Sequence, residues 1–306
     1  MEDILVSIHC ITYNHEKYIA DAIDSFLMQK TNFKYEILIH DDASTDKTAD
    51  IIREYEKKYP ELIKPIYQSE NQYSKGIAVE EFNRKRAKGK YIAVCEGDDY
   101  WTDLFKLQKQ IDYLEKNPEC SLVFHAAEFV NISNEPTGTI AKIAEENRIV
   151  YMDEISSKAT PYYIPTASRV YRKSSMEDLP SWYFKASIGD FPSALLIGNK
   201  GYFYYINEIM SAYRTGVPGS WTQRTFNGIN DIKKNIELNK EIIQILNDFN
   251  EYSNYKFKKE LYNAKKERII TIIVFKMSTY FPKWLVNYFR NKVDITWIIK
   301  KTKRII

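Results

Sequence analysis

The stretch Tyr91-Ile92-Ala93-Val94-Cys95-Glu96-Gly97-Asp98-Asp99-Tyr100-Trp101 decides the reading of the fold, because a short apolar run ends there in three carboxylates within four positions. Tyr91 to Cys95 is rich in β-formers and too short for a helix, so it reads as a buried strand. Glu96, Asp98 and Asp99 then stand at its carboxyl end, the edge at which open α/β sheets bind ligands. Acids this close repel one another unless a positive group stands among them. A divalent cation shared with a diphosphate meets that need, since Mg²⁺ and Mn²⁺ prefer carboxylate oxygen and commonly share their coordination with substrate phosphates. The competing reading is an Asp-rich turn that caps the following helix.

Upstream, Ile4 to Ile11 is apolar and β-branched, a second buried strand, and it ends in the polar turn Thr12-Tyr13-Asn14-His15-Glu16. Tyr18, Ile19, Ala22, Ile23, Phe26 and Leu27 follow at helical spacing. The turn has no glycine, which argues against the phosphate loops of Rossmann or Walker type, where the backbone must approach phosphate closely. Tyr35 to His40 forms the next strand and ends in Asp41-Asp42-Ala43-Ser44-Thr45-Asp46. Ser44 or Thr45 is placed to cap the helix carrying Ile51, Ile52, Tyr55 and Tyr59. Asp41 and Asp42 read either as further capping groups or as carboxylates that accept a hydrogen bond from a nucleobase N–H. Ile63 to Gln68 reads as a strand, and Ile77 to Lys88 as a helix ended by Gly89 at its C′ position. Strands alternating with helices four times over imply a mostly parallel sheet with helices on both faces.

The composition sets outer bounds. A length of 306 residues suffices for one large domain or one domain with an appendage. A formal charge of +3 gives no reason to expect a nucleic-acid binder. The 24 tyrosines suit sugar stacking as well as packing. Cys10, Cys95 and Cys120 are scattered and fit reduced core residues better than a disulfide frame or a zinc site. The acidic N-terminus runs straight into a strand and reads as no signal peptide. No apolar run reaches the roughly 18 residues of a membrane-spanning helix, so the expected location is cytoplasmic.

Three of these motifs carry a family resemblance. Val6-Ser7-Ile8 through Tyr13-Asn14, the pair Asp41-Asp42 with Ser44, and Glu96-Gly97-Asp98-Asp99 resemble the amino-terminal half of the family 2 glycosyltransferases of bacterial surface-polysaccharide type. The resemblance covers residues 4 to 130 closely and extends more loosely to 221. It implies the α/β GT-A fold, a Rossmann-like mostly parallel sheet that binds a nucleoside diphosphate sugar. It also implies Tyr13 near the nucleobase and Asp42 on it, Asp98 on the ribose, and Asp98 with Asp99 holding Mn²⁺ or Mg²⁺. The chain departs from the family pattern at Thr102-Asp103-Leu104, where relatives often carry proline after Thr-Asp. That change removes rigidity at a helix start but no functional group.

Further along, Phe105 to Leu114 is expected to be helical and Ser121 to Val130 a strand. Asn131 to Tyr163 has weak periodicity and reads as a variable loop over the cleft. Thr166 to Arg172 reads as a strand. Ile188-Gly189-Asp190-Phe191-Pro192 then resembles the stretch that, in the same family, delivers the catalytic base from a helix start. Asp190 would take the proton from an acceptor hydroxyl, and its competing reading is an N-cap. Tyr202 to Tyr205 is an aromatic strand. After it come Ser211 to Arg214 and Gly219-Ser220-Trp221, where relatives close over the donor. Arg214 reads as a diphosphate contact or as one half of a surface salt bridge.

The pattern changes near Asn227, which divides the expected GT-A domain (1–226) from a helical extension (227–306). Asp231 to Arg268 is one long charged helical stretch. Residues 269–306 hold eight basic residues and one acid, interleaved with aromatics such as Phe281, Trp284, Tyr288 and Trp297. That mixture predicts an amphipathic segment lying on an anionic membrane surface, with packing on the domain or against a partner helix as the alternatives. Nucleic acid fits it less well.

With that resemblance, the expectation is a metal-dependent glycosyltransferase that moves a sugar from a UDP-sugar to a hydroxyl of a growing glycan at the inner face of the cell membrane, with inversion and a lipid-linked acceptor implied by the resemblance. The competing readings are a sugar nucleotidyltransferase, which would need a glycine-rich first loop, and a catalytically silent glycan-binding scaffold of the same fold.

Overall fold

A computed structural model describes residues 3–158, 163–220 and 232–278. The chain forms two compact units, residues 1–151 with 158–217, and residues 152–157 with 218–306.

The first unit is built on a ten-stranded mixed sheet. Strand β1 (Ile4–Thr12) lies between β2 (Lys34–Asp41) and β4 (Tyr91–Val94), parallel to both, and β3 (Ile63–Tyr67) extends the parallel set beyond β2. Val6, Ile8, Cys10, Ile37, Ile39 and Ala93 are fully buried, as expected of strands covered on both faces. Helices α1 (Ile19–Leu27), α2 (Thr48–Lys58) and α3 (Glu80–Arg86) connect these strands. The chain winds outward from β1 to β3 and then returns to the other side of β1 as β4. The crevice between the loops of β1 and β4 is therefore the point where strand order reverses, the usual ligand site of such sheets.

Helix α3 is shorter than predicted and ends at Arg86, with Ala87 already extended. Gly89 is not its cap. A Cβ there would lie 2.4 Å from the backbone nitrogen of Ser7, so glycine is needed for close approach to β1.

Beyond β4 the sheet becomes mixed. The short pair β5 (Tyr100–Trp101) leads to α4 (Lys106–Lys116) and the long β6 (Cys120–Val130). Residues 131–163, expected to be a loop, contain β7 (Pro136–Ala141), β8 (Arg148–Val150) and α5 (Met152–Lys158). The predicted strand Thr166–Arg172 is a 3₁₀ turn over Thr166–Ser168 followed by β9 (Val170–Arg172), which runs antiparallel between β4 and β6. Helix α6 (Asp190–Lys200) precedes β10, which extends from Tyr202 to Arg214 and pairs in parallel with β6.

In the second unit the long charged stretch is two helices, α7 (Ile232–Tyr252) and α8 (Lys258–Ser278), folded back on one another through residues 253–257. Leu246, Phe249, Leu261 and Ala264 are fully buried, and the Phe249 and Phe257 rings stack 6.0 Å apart at the turn. No described helix is long and apolar enough to cross a membrane. The predicted boundary near 226, Trp221, and residues 279–306 of the basic segment lie outside the described residues.

Candidate active site

The ends of β1, β2 and β4 are joined by main-chain bonds. Asp42 N donates to Thr12 O at 3.0 Å, and Gly97 N donates to Ile11 O at 2.9 Å. A Cβ on Gly97 would stand 2.7 Å from Thr12 Oγ1 and 2.8 Å from Thr12 Cβ, so the acidic turn seats on β1 only because this residue has no side chain. At the start of α4, Asp103 accepts from Phe105 N at 2.7 Å and Gln29, from the end of the α1 segment, accepts from Leu107 N at 3.1 Å. Capping of α4 therefore falls to those residues and not to the acidic cluster.

The loops after β1 and β2 are laced together by side chains. Ser44 Oγ accepts from Asn14 N at 2.9 Å, Asn14 Oδ1 from Thr45 N at 2.8 Å, and Asp46 Oδ2 from Glu16 N at 3.0 Å. Asn14 and Ala43 both adopt left-handed backbone, with φ of 57° and 62°, a costly conformation for a residue with a Cβ. Such strain persists where surrounding bonds over-determine it, and it concentrates at functional sites. The predicted caps Ser44 and Thr45 do not cap α2. Asp46 does that work, its Oδ1 accepting from Thr48 N at 2.9 Å. Asp41 turns back onto Ser44. Asp42 is 2% exposed and holds the segment after β3, accepting from Gln72 N at 2.8 Å and Tyr73 N at 3.0 Å. Tyr13 stands open at the mouth.

The acidic tip divides into one buried and two cleft-facing carboxylates. Asp99 is 1% exposed, and its Oδ1 accepts from the backbone nitrogen of Arg214 at 2.8 Å, while its buried Oδ2 has no hydrogen-bond partner. Burial first, then the charges of Asp98 and Glu96, hold the Asp99 carboxyl well above the usual range. Asp98 is 3.8 Å from His15 Nε2. Glu96 opens onto solvent at the cleft. Restricted hydration, followed by the charges of Asp98 and Asp190, pushes its carboxyl up to about 8.

Arg214 is not a surface ion pair, because its side chain is fully buried and its donors are taken by Asp98 O, Asp21 Oδ2 and Asn134 Oδ1. It lies among the acids as the positive group that their crowding calls for.

Asp190 opens α6, but it is not an N-cap and caps no backbone N–H. Arg169 Nη1 donates to its Oδ1 and Thr166 Oγ1 to its Oδ2, each at 2.9 Å. Arg169 also accepts a main-chain bond from Val94 N at 3.1 Å, so the group holding Asp190 sits on the last residue of β4. Asp190 thereby shares an edge with Glu96 and Asp98, and the remaining two-fifths of its side chain stays exposed. Arg169 and Thr166 were not singled out from the sequence, since they lie in an unremarkable run more than 20 positions away and nothing local marks the pairing.

Among the described residues no group of three or more His, Cys, Asp or Glu converges to hold a metal. The donor set still fits a magnesium-like ion, which is bound through one or two carboxylates with substrate phosphates completing the shell. The partnerless Oδ2 of Asp99 and the neighbouring Asp98 would supply those two carboxylates.

Comparison with known proteins places the chain in a family. Residues 7–179 match the model of glycosyl transferase family 2, and the chain belongs to that family. An uncharacterised protein of Mycobacterium tuberculosis is 36% identical over 230 residues, covering 71% of this chain and 60% of that protein. The Escherichia coli UDP-Glc:alpha-D-GlcNAc-diphosphoundecaprenol beta-1,3-glucosyltransferase WfaP is 40% identical over 112 residues, 36% of this chain and 41% of its own. In fold, the chain resembles Staphylococcus aureus TarS solved with UDP, at a TM-score of 0.58 and 17% identity over 96% of this chain and 76% of that one. The fold is GT-A.

Proposed function

We propose that the protein transfers a sugar from a uridine diphosphate donor to a hydroxyl group of a surface glycan, with inversion at the anomeric carbon. The observation that carries this reading is the bond from Val94 N to Arg169 O, which sets the holder of Asp190 against the strand that ends in Glu96, Asp98 and Asp99. Asp190 takes the acceptor proton as that oxygen attacks the anomeric carbon. Its two bonded donors orient the carboxylate and leave its outward lone pairs for the acceptor. Tyr13 stacks near the nucleobase. Asp42 keeps a lone pair on Oδ2, beside the Tyr73 bond, for a base N–H.

Asp98 and Asp99 would hold Mg²⁺ or Mn²⁺, which offsets charge on the departing diphosphate. Asp98 also faces the ribose. The UDP choice is supported by the donor in the name of WfaP and by the UDP held by TarS, and a lipid-linked acceptor by the diphosphoundecaprenol in the former. Residues 269–306, of which 269–278 are helical here, are the proposed contact with anionic membrane at the cytoplasmic face. Family membership and the glycine-free first loop speak against the nucleotidyltransferase reading.

Incubation with a panel of UDP-sugars and undecaprenyl-diphosphate-linked sugars, followed by mass spectrometry, tests the activity. A product one sugar heavier is expected with wild type and absent with Asp190→Asn, whereas equal turnover by both proteins contradicts the assignment.

A further inference from the structure

Arg214 gathers three stretches that are distant in sequence, at residues 18–21, 98–100 and 134. Its backbone nitrogen donates to Asp99 Oδ1 at 2.8 Å and its Nη1 to Asp98 O, so one residue holds both members of the acidic pair. Its Nη2 donates to Asp21 Oδ2 on α1 at 2.8 Å, and Nε and Nη2 share Asn134 Oδ1 at 3.2 and 2.5 Å. Asn134 adopts a left-handed backbone, φ 64°, and itself donates to Asp21 at 3.2 Å. The guanidinium is flanked by the Tyr18 and Tyr100 rings, with centroids 4.6 and 5.2 Å away. A planar fork with five donors can satisfy all these acceptors while lying against aromatic faces, and a lysine ammonium cannot.

The bond to Asp98 is made to the carbonyl and the bond to Asp99 to one carboxylate oxygen. Asp98's carboxylate and Oδ2 of Asp99 are left unoccupied by Arg214. A residue built to bind phosphate would present its fork outward, but this one has no exposed side-chain surface.

We propose that Arg214 is a positioning residue, fixing the Asp98–Asp99 peptide so that both carboxylates are presented to a divalent cation, without touching the donor itself. This rests on the donor-site reading above. Groups behind metal ligands set their orientation, and losing one weakens metal binding even though the ligands remain.

The test uses Arg214→Lys and Asn134→Ala in the full chain, each checked for folding by circular dichroism. Mn²⁺ binding in the presence of UDP is followed by electron paramagnetic resonance, and UDP and uridine binding in chelator by calorimetry. Arg214→Lys is expected to weaken Mn²⁺ by about 10- to 100-fold while UDP affinity in chelator changes by less than about twofold, with Asn134→Ala giving a smaller loss in the same direction. Unchanged Mn²⁺ affinity in a folded Arg214→Lys overturns the proposal. So does a loss of UDP but not uridine affinity in chelator, which would make Arg214 a diphosphate contact after all. If wild type binds neither Mn²⁺ nor UDP, the donor-site reading fails. The clamp is then judged by amide hydrogen exchange of residues 97–100 in ligand-free protein, where faster exchange in Arg214→Lys upholds it and unchanged exchange overturns it.

Discussion

Arg169 Nη1 and Asp190 Oδ1 lie 2.9 Å apart, with the arginine nearly buried and the aspartate two-fifths open. A carboxylate held this way keeps a fixed orientation, and it turns its free lone pairs to the cleft. Asp190→Asn should lower turnover by about 10²- to 10⁴-fold, the usual weight of a general base. Thr166→Val, which removes the second donor, should lower kcat more mildly and leave donor KM unchanged. Steady-state kinetics on both variants checks this. A large KM effect with kcat preserved would place Asp190 in binding instead.

Gly97 makes a different kind of demand. Alanine there would press on Thr12 Oγ1 and Cβ, and overpacking of this sort costs about 1–3 kcal/mol. Gly97→Ala should therefore lower the melting temperature and also weaken UDP binding, because the turn can relieve the clash only by moving Asp98. Thermal denaturation and calorimetry together test it. A variant of normal stability and affinity would show that the acidic turn is not seated on β1.

Lys106 is fully buried, lies 4.1 Å from the Trp101 ring centroid, and donates to Gln110 Oε1 at 2.8 Å. Burial lowers its pKa from 10.5 to about 7. The unfolded chain thus holds a proton between those limits that the folded chain has released, so this residue makes the protein more stable as pH rises from 7 towards 10.5. Below 7 the lysine is charged in both states and the burial penalty is complete. Lys106→Met removes the dependence while keeping the contact with Trp101. The stability of Lys106→Met relative to wild type should therefore be highest near pH 7 and fall as pH approaches 10. Urea denaturation at pH 7 and pH 9.5 reads this, and a difference independent of pH would refute it.

The parallel half of the sheet was legible because β1, β2 and β4 are largely apolar runs that end in polar or acidic turns. The remainder was hidden for identifiable reasons. In β7 five of six residues are exposed, so no alternation marks it as a strand. In β10 the register shifts between Ile206 and Ile209, and the polar Asn207-Glu208 in that irregular stretch made a 13-residue strand look like one of four. The turn at residues 253–257 contains neither Gly nor Pro and so gave no sign of breaking the long charged helix. The acids of the site were readable from their crowding. Their partners were not, since Arg214 meets Asp21 across 193 positions and Asp98 across 116, and a cation seen only in sequence suggests a ligand more readily than a buried brace.

The central claim is that Asp98 and Asp99 form one donor site with a cation, separate in role from Asp190. Calorimetric titration of UDP into wild type, Asp190→Asn and the double variant Asp98→Asn/Asp99→Asn, each with Mn²⁺ and with chelator, tests it most directly. The account predicts Mn²⁺-dependent binding that survives in Asp190→Asn and is lost in the double variant. Binding that is equally tight in chelator and in the double variant would contradict it.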